Sequence, residues 1–279
     1  MKIFSILNNK GGVGKTTIAT WLGQGLALSG KRVLLIDNDK QHNLTNALTV
    51  SMQTRSVRDI YRLKNFDHIN RQLNNTVQQS TVDNLYFIPS SAQLSYFDIP
   101  RLSIWQEVFE KSTIPHLFDA VIFDNPPGSE LLQAATVAAS DVVIIPTELN
   151  TKSSEGLFEL CMWLDRTMGF PRTKIKIVPN GRRSRKKDDG YLAMLRKRYP
   201  GAVTTAIPYD DVFDEMDALR KVLFFSRLRA KAVPYIIKVV CELFDDFANE
   251  GQMTQTLDQR QKAYLSEQAR RRYWQRRHT

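Results

Sequence analysis

Cysteine and histidine are scarce in this 279-residue chain, and their placement excludes several chemistries. The two cysteines, Cys161 and Cys241, have neither metal-ligand nor disulfide spacing and lie in apolar helical patterns, so buried thiols in a reducing compartment are expected. His42, His68, His116 and His278 have no partner three or four residues away, which argues against zinc. No serine sits in a nucleophile-elbow context. No apolar run reaches the roughly 18 to 20 residues that span a bilayer, and Met1 leads straight into Lys2-Ile3-Phe4-Ser5-Ile6-Leu7 without a signal-peptide pattern. A cytoplasmic protein is the expectation.

What is present reads as an ordinary globular chain with an excess of positive charge. Apolar residues make up 42% and charged residues 24%, enough for a sizeable core, and the length fits one large α/β domain. Lys and Arg outnumber Asp and Glu by 39 to 29, a formal charge of +10 that favours polyanionic partners. Strand-type apolar runs at Ile3 to Leu7, Val33 to Ile36, Leu85 to Ile88, Ala120 to Phe123, Val142 to Ile145 and Ile175 to Val178 alternate with helical patterns. That order predicts a doubly wound, mostly parallel twisted sheet flanked by helices. The stretch from about Thr45 to Asp83 is polar and patchily helical, and predicts peripheral helices. Val233 to Phe247 reads as an amphipathic helix closing the core. Gly251 marks a boundary between a domain at 1–250 and a basic helical extension at 251–279.

The chemistry concentrates at Asn8-Asn9-Lys10-Gly11-Gly12-Val13-Gly14-Lys15-Thr16-Thr17. Glycines let the backbone curl so that successive N–H groups converge on phosphate oxygens, and the helix starting at Lys15 adds its positive dipole end. Lys15 is placed for the β- and γ-phosphates, the Thr16 hydroxyl for Mg²⁺ and Thr17 for the α-phosphate, with Gly11, Gly12, Val13 and Gly14 forming the cradle. With a strand before and a helix after, six fixed positions match by chance at on the order of 10⁻⁷ per site.

Asn9 replaces the first glycine of the common loop, and Lys10 adds a second lysine. In this the segment resembles the deviant P-loop of the ParA/MinD family of ATPases, with its Lys-Gly-Gly-x-Gly-Lys-Thr/Ser pattern. The resemblance implies a P-loop, nitrogenase-reductase-like fold and a homodimer in which Lys10 reaches the partner's ATP. Two further segments fit in order and spacing. Val33-Leu34-Leu35-Ile36-Asp37-Asn38-Asp39 ends a strand with two carboxylates that alternation puts on one side, from which both can face the phosphates. By resemblance, Asp37 helps hold the Mg²⁺ shell and Asp39 orients or deprotonates the attacking water. Ala120 to Gly128 ends a strand at Asp124, a water-mediated Mg²⁺ ligand, followed by a Pro126-Pro127 switch loop. Such parts suffice for a slow ATPase. Asn180 and Pro208 match positions that meet adenine in the family, although Asn180 also reads as a turn residue. Lys40-Gln41 and Asn125 depart from the family pattern. Lys152 is read as a surface lysine, with a second cross-dimer or adenine-side contact as the alternative.

The cluster Arg182, Arg183, Arg185, Lys186 and Lys187, with Arg220, Arg227, Arg229 and Lys231, falls where ParA proteins grip the DNA backbone. This implies sequence-nonspecific DNA binding in the ATP state, at the nucleoid, with a ParB-like adaptor that stimulates hydrolysis and links it to a plasmid, chromosome or protein organelle such as a carboxysome. The segment from Glu267 to Arg277 combines Arg with Tyr273 and Trp274. It suits DNA best, with a packing helix or an anionic membrane as alternatives; a MinD-like membrane-associated regulator of cell division is the second functional class. A metabolic or electron-transfer relative is disfavoured by the missing cluster-ligand cysteines.

Overall fold

The computed structural model describes residues 1–48, 55–183, 185–213 and 230–244, together with 251, 254–259, 262–263 and 266. Seven strands form one sheet: β1 (Lys2–Ile6), β2 (Val33–Asp37), β3 (Gln78–Gln79), β4 (Leu85–Ile88), β5 (Ala120–Asp124), β6 (Val142–Glu148) and β7 (Ile175–Asn180). Their spatial order is β3-β4-β2-β5-β1-β6-β7. All neighbouring pairs are parallel except β3 with β4, which is antiparallel. The doubly wound reading therefore holds, with β3 as a short addition inside the polar stretch that also carries α2 (Asn43–Leu48), α3 (Val57–Tyr61) and α4 (Ile69–Thr76). The remaining helices are α5 (Ile104–Lys111), α6 (Ile114–Leu117), α7 (Glu130–Ala138), α8 (Thr151–Arg166), α9 (Lys186–Arg198) and α10 (Val233–Leu243).

Strand alternation divides the core. In β2, Val33 and Leu35 face one hydrophobic cluster while Leu34 and Ile36 face another; in β5, Ile122 and Val121 divide the same way. The first cluster lies under α1 (Lys15–Leu28) and α10, the second under α3, α5 and α7, and a third packs α8 and α9 on β6 and β7. Because both faces are covered, the strands read as continuous apolar runs. The helix expected over Val233 to Phe247 ends at Leu243: Phe244 turns extended and stacks its ring on Phe4 at 4.9 Å between centroids, and 245–247 lie outside the described residues. Leu257, in the segment 254–259, is buried in the first cluster.

Helix α1 follows β1 directly and is almost wholly buried, stopping where Gly30 takes φ of 91° and Lys31 N–H reaches back to the Leu26 carbonyl. Gly23 brings α1 close to β2: a side chain there would begin 2.9 Å from both methyls of Leu35. Replacing Gly23 with Val should therefore cost about 1–3 kcal/mol through overpacking, read as a lower midpoint in urea unfolding.

Candidate active site

The loop between β1 and α1 sits where the winding of the sheet reverses, with β5 on one side of β1 and β6 on the other. Gly12 and Gly14 have φ of 74° and 92°, the left-handed turns that aim the loop back on itself. Asn8 braces it: its side-chain amide donates to the Pro146 carbonyl at 2.7 Å and its Oδ1 accepts from Lys10 N–H at 2.9 Å. A Cβ on Gly14 would stand 2.3 Å from Asn180 Nδ2, which itself donates to the Val13 carbonyl at 3.1 Å. The loop opens on a cleft of about 660 Å³ lined by Gly11, Gly12, Gly14, Lys15, Thr16 and Thr17 on one side and Asp39, Gln41 and Pro127 on the other. Lys15 is buried, with Nζ donating to the Lys10 carbonyl at 3.2 Å. Desolvation lowers its pKa, and the nearby Asp124 and Asp39 charges counter that.

Asp37 and Asp124 lie opposite each other in register at the ends of β2 and β5, both essentially inaccessible to solvent. Asp37 does not face the cleft as alternation suggested. Its carboxylate accepts from Thr45 N–H at 2.8 Å, from the Thr45 hydroxyl at 2.6 Å and from Asp39 N–H at 3.1 Å. Burial still pushes its pKa up to about 6. Asp39 is beyond the strand end, where strict alternation no longer applies, and it is the carboxylate that lines the cleft. Asp124 is different again: neither oxygen completes a hydrogen bond of good geometry among the described residues, although the Thr16 hydroxyl lies near enough to act on it. Its pKa is raised well above the usual range by burial and the Asp37 charge, with Thr16 and Lys15 opposing. An orphaned, buried carboxylate beside a threonine hydroxyl and a phosphate cradle fits a hydrated Mg²⁺. No group of three or more His, Cys, Asp or Glu among the described residues could hold a metal.

Lys10 is not a free loop charge. Its ammonium pairs with Glu148 Oε2 and donates to Ser153 Oγ at 3.0 Å; that pairing holds the Glu148 pKa down. Neither partner was visible in sequence, since 138 and 143 positions separate them from Lys10. Lys152, next to Ser153, is exposed.

A second hollow of about 450 Å³ shares Gly12, Gly14 and Thr17 with the cleft and continues past Asn180 and Pro208. Arg182 N–H donates to the Ile207 carbonyl at 3.0 Å and Tyr209 N–H to the Arg182 carbonyl at 2.9 Å, fixing Pro208 beside the end of β7. Trp21 and Phe213, stacked with centroids 3.5 Å apart, line the same hollow and were not foreseen. The rest of that lining is mainly polar, with Glu148, Asn150, Asp188, Asp210, Arg183 and Arg185 among it.

The basic cluster divides. Arg182 pairs with Asp189 at 2.6 Å, and the Arg183 guanidinium lies 4.0 Å from the centre of the Tyr209 ring. Arg185, Lys186 and Lys187 are exposed at the start of α9, with Arg183, Arg185 and Lys187 also rimming the second hollow. Lys231 is exposed before α10; Arg220, Arg227, Arg229 and the segment 267–277 lie outside the described residues. No helix among the described residues is long and apolar enough to cross a membrane.

A family model described as an AAA domain matches residues 1–177, which contain the loop and all three aspartates. The chain belongs to that family, within the ParA/MinD group of P-loop ATPases. The sporulation initiation inhibitor protein Soj of Bacillus subtilis is 38% identical over 165 residues, 57% of this chain and 63% of that protein, so the match spans less than two thirds of that relative. The chromosome-partitioning ATPase Soj of Treponema pallidum is 33% identical over 180 residues, covering 63% of this chain and 68% of the relative. Among solved structures, a Cyanothece McdA variant in complex with ATP shares the fold with a TM-score of 0.71 and 24% identity, over 87% of this chain and 96% of that one.

Two outcomes follow for this ParA/MinD member. Gly14→Ala should abolish measurable nucleotide uptake in calorimetry, because both φ of 92° and the 2.3 Å approach to Asn180 oppose a side chain. Asp37 has a folded pKa of about 6 against an ordinary 3.8, so the folded state holds the extra proton between those values and stability falls as pH rises through them. Asp37→Asn should flatten that slope in the nucleotide-free protein.

Proposed function

We propose that this chain is a Mg²⁺- and ATP-dependent ATPase that dimerises around its nucleotide, holds DNA nonspecifically in the ATP state and positions or segregates a cargo through an adaptor that stimulates hydrolysis. The observation that carries the reading is the buried, unpartnered Asp124 beside Thr16 and Lys15 in the phosphate cradle. Thr16 and Asp124 would hold the magnesium shell, Asp124 through water, with Asp37 behind them. Magnesium, when bound, neutralises charge on the phosphates. Lys15 neutralises the β- and γ-phosphates, the backbone of residues 11–17 orients them, and Asp39, facing the cleft, takes the water-side role. The hollow beyond Thr17 accepts the base between Asn180 and Pro208. Phosphoryl transfer asks for little beyond this positioning and charge neutralisation.

Lys10 supplies the link to dimerisation. Its ion pair with Glu148 is about one-third to two-fifths exposed, a class worth at most ~1 kcal/mol. A partner's triphosphate in a closed interface outcompetes so weak a tether. Lys10 thus leaves Glu148 and Ser153 when two subunits meet over ATP.

For DNA, α9 offers an unfavourable arrangement: Arg185, Lys186 and Lys187 crowd its N-terminal end, where the helix dipole disfavours cations, and Asp188 and Asp189 offset only part of that charge. Positive charge held against the dipole is well placed to be neutralised by a polyanion. A dimer doubles the patch, so nucleotide-driven dimerisation would switch DNA binding on by avidity. Cytoplasmic, nucleoid-associated action follows from that reading. Chromosome, plasmid and protein-organelle cargoes all suit this chemistry.

Lys15→Ala should lose Mg-ATP uptake in calorimetry, whereas Lys10→Ala should keep uptake and lose the ATP-dependent dimer in light scattering. Mobility shifts at low salt should show duplex retained with ATP and released with ADP, with affinity falling linearly on a log–log salt plot. Equal retention with the two nucleotides would contradict the switch.

A further inference from the structure

Between the carboxylates at the strand ends runs a chain of buried polar side chains that none of the roles above employs. Asn38 separates Asp37 from Asp39, and Asn125 follows Asp124; both are essentially inaccessible to solvent, as are Ser5, Tyr61, Trp105 and Thr136. Trp105 Nε1 donates to the Tyr61 hydroxyl at 2.9 Å, and Tyr61 donates to Asn38 Oδ1 at 2.8 Å. Asn38 Nδ2 donates to Asn125 Oδ1 at 3.0 Å, and Asn125 Nδ2 donates to the Ile6 carbonyl at 3.1 Å.

The direction of this relay is fixed at one end. An indole nitrogen can only donate, so Tyr61 must accept from Trp105 and direct its own proton to Asn38. That turns the Asn38 amide so that its NH₂ faces Asn125, and the same logic turns Asn125 toward β1. Burial raises the Tyr61 pKa, so the hydroxyl proton needed for this order stays in place. Thr136 Oγ1, 3.0 Å from Asn125 Oδ1, and Ser5 Oγ, 3.2 Å from Asn125 Nδ2, close the network.

The relay ties together the parts that must keep their spacing. Asn38 N–H also donates to the Asp124 carbonyl at 2.9 Å, so the segment bearing Asp37 and Asp39 is bonded to the Asp124 segment through both backbone and side chain. Asn125 joins that pair to Ile6, just before the phosphate loop. From α7, which carries Thr136, Gln133 donates to the Pro126 carbonyl at 2.9 Å and braces the diproline loop that lines the cleft. A fully satisfied buried network has one low-energy arrangement, and in a low dielectric each unpaired member is costly. Removing one amide therefore loosens the spacing of Asp39 and Asp124 without touching the cradle that holds the phosphates.

We propose that Asn38 and Asn125 are positioning residues for hydrolysis: their amide pair, oriented from Trp105 through Tyr61, holds the cleft-facing Asp39 and the buried Asp124 at working separation. This rests on the hydrolytic reading given above. The test is steady-state ATP turnover alongside Mg-ATP affinity by calorimetry on the full chain. Asn38→Ala and Asn125→Ala should each lower kcat by about 10- to 100-fold, the effect of small misplacement, while Mg-ATP affinity falls by far less than kcat. Because the two act as one unit, the double variant should lose no more than the worse single variant. Should either alanine variant fold poorly, Tyr61→Phe keeps the ring and removes only the orienting hydroxyl; it should lower kcat by more than it lowers affinity. Losses that multiply in the double variant, affinity falling in step with kcat, or unchanged turnover in Tyr61→Phe would each overturn the proposal. A wild-type chain that neither binds nor hydrolyses Mg-ATP would instead sink the hydrolytic reading, and this one with it.

Discussion

Two carboxylates stand opposite each other at the ends of adjacent parallel strands, out of contact with water, and the rest of the site is arranged around that fact. Like charges in register on neighbouring strands repel, and burial removes the solvent that would screen them. The protein compensates one of them in part. Asp37 receives three hydrogen bonds, two from Thr45 and one from the backbone of Asp39. Asp124 receives none among the described residues, with Lys15 and Thr16 nearby as partial relief. A core carries such a group by leaving it protonated or by completing it with a ligand, and the phosphate loop lies next to it.

From this constraint the division of labour among charged groups follows. Lys15 is kept buried and turned toward its own loop, already desolvated before any phosphate arrives. Lys10 is kept outside the cradle by Glu148 and Ser153, held by a pair weak enough to exchange. Asp39, two residues past the strand end, has the solvent contact that Asp37 lacks. One lysine is thus held within the loop and the other outside it. The second hollow, with the stacked Trp21 and Phe213 in its lining, shares Gly12, Gly14 and Thr17 with the phosphate-loop cleft.

The cradle, the parallel sheet and the strand-end aspartates could be read from sequence because each is local: glycine spacing, a run of apolar residues and a carboxylate at its end lie within a few positions. The alternation argument failed for the pair Asp37 and Asp39 because it applies only within a strand, and β2 stops at Asp37. Non-local features stayed hidden for a different reason. The partners Lys10 and Glu148, or Asn38 and Asn125, meet only because the sheet runs β2-β5-β1-β6, an order that chain order does not reveal. Asn125 showed in sequence only as a departure from the family pattern. Its bond to Asn38 gives that departure a physical reason, a second amide placed to receive the first.

The central claim is that Asp124 is completed by a magnesium ion brought with the nucleotide. Calorimetric titration of ATP into the full chain, with magnesium and with the metal chelated, measures that directly in the wild type and in Asp124→Asn. The account requires wild-type affinity to depend on magnesium and that dependence to shrink sharply in the variant. Affinity indifferent to magnesium in the wild type, or a metal dependence left intact by Asp124→Asn, would contradict it.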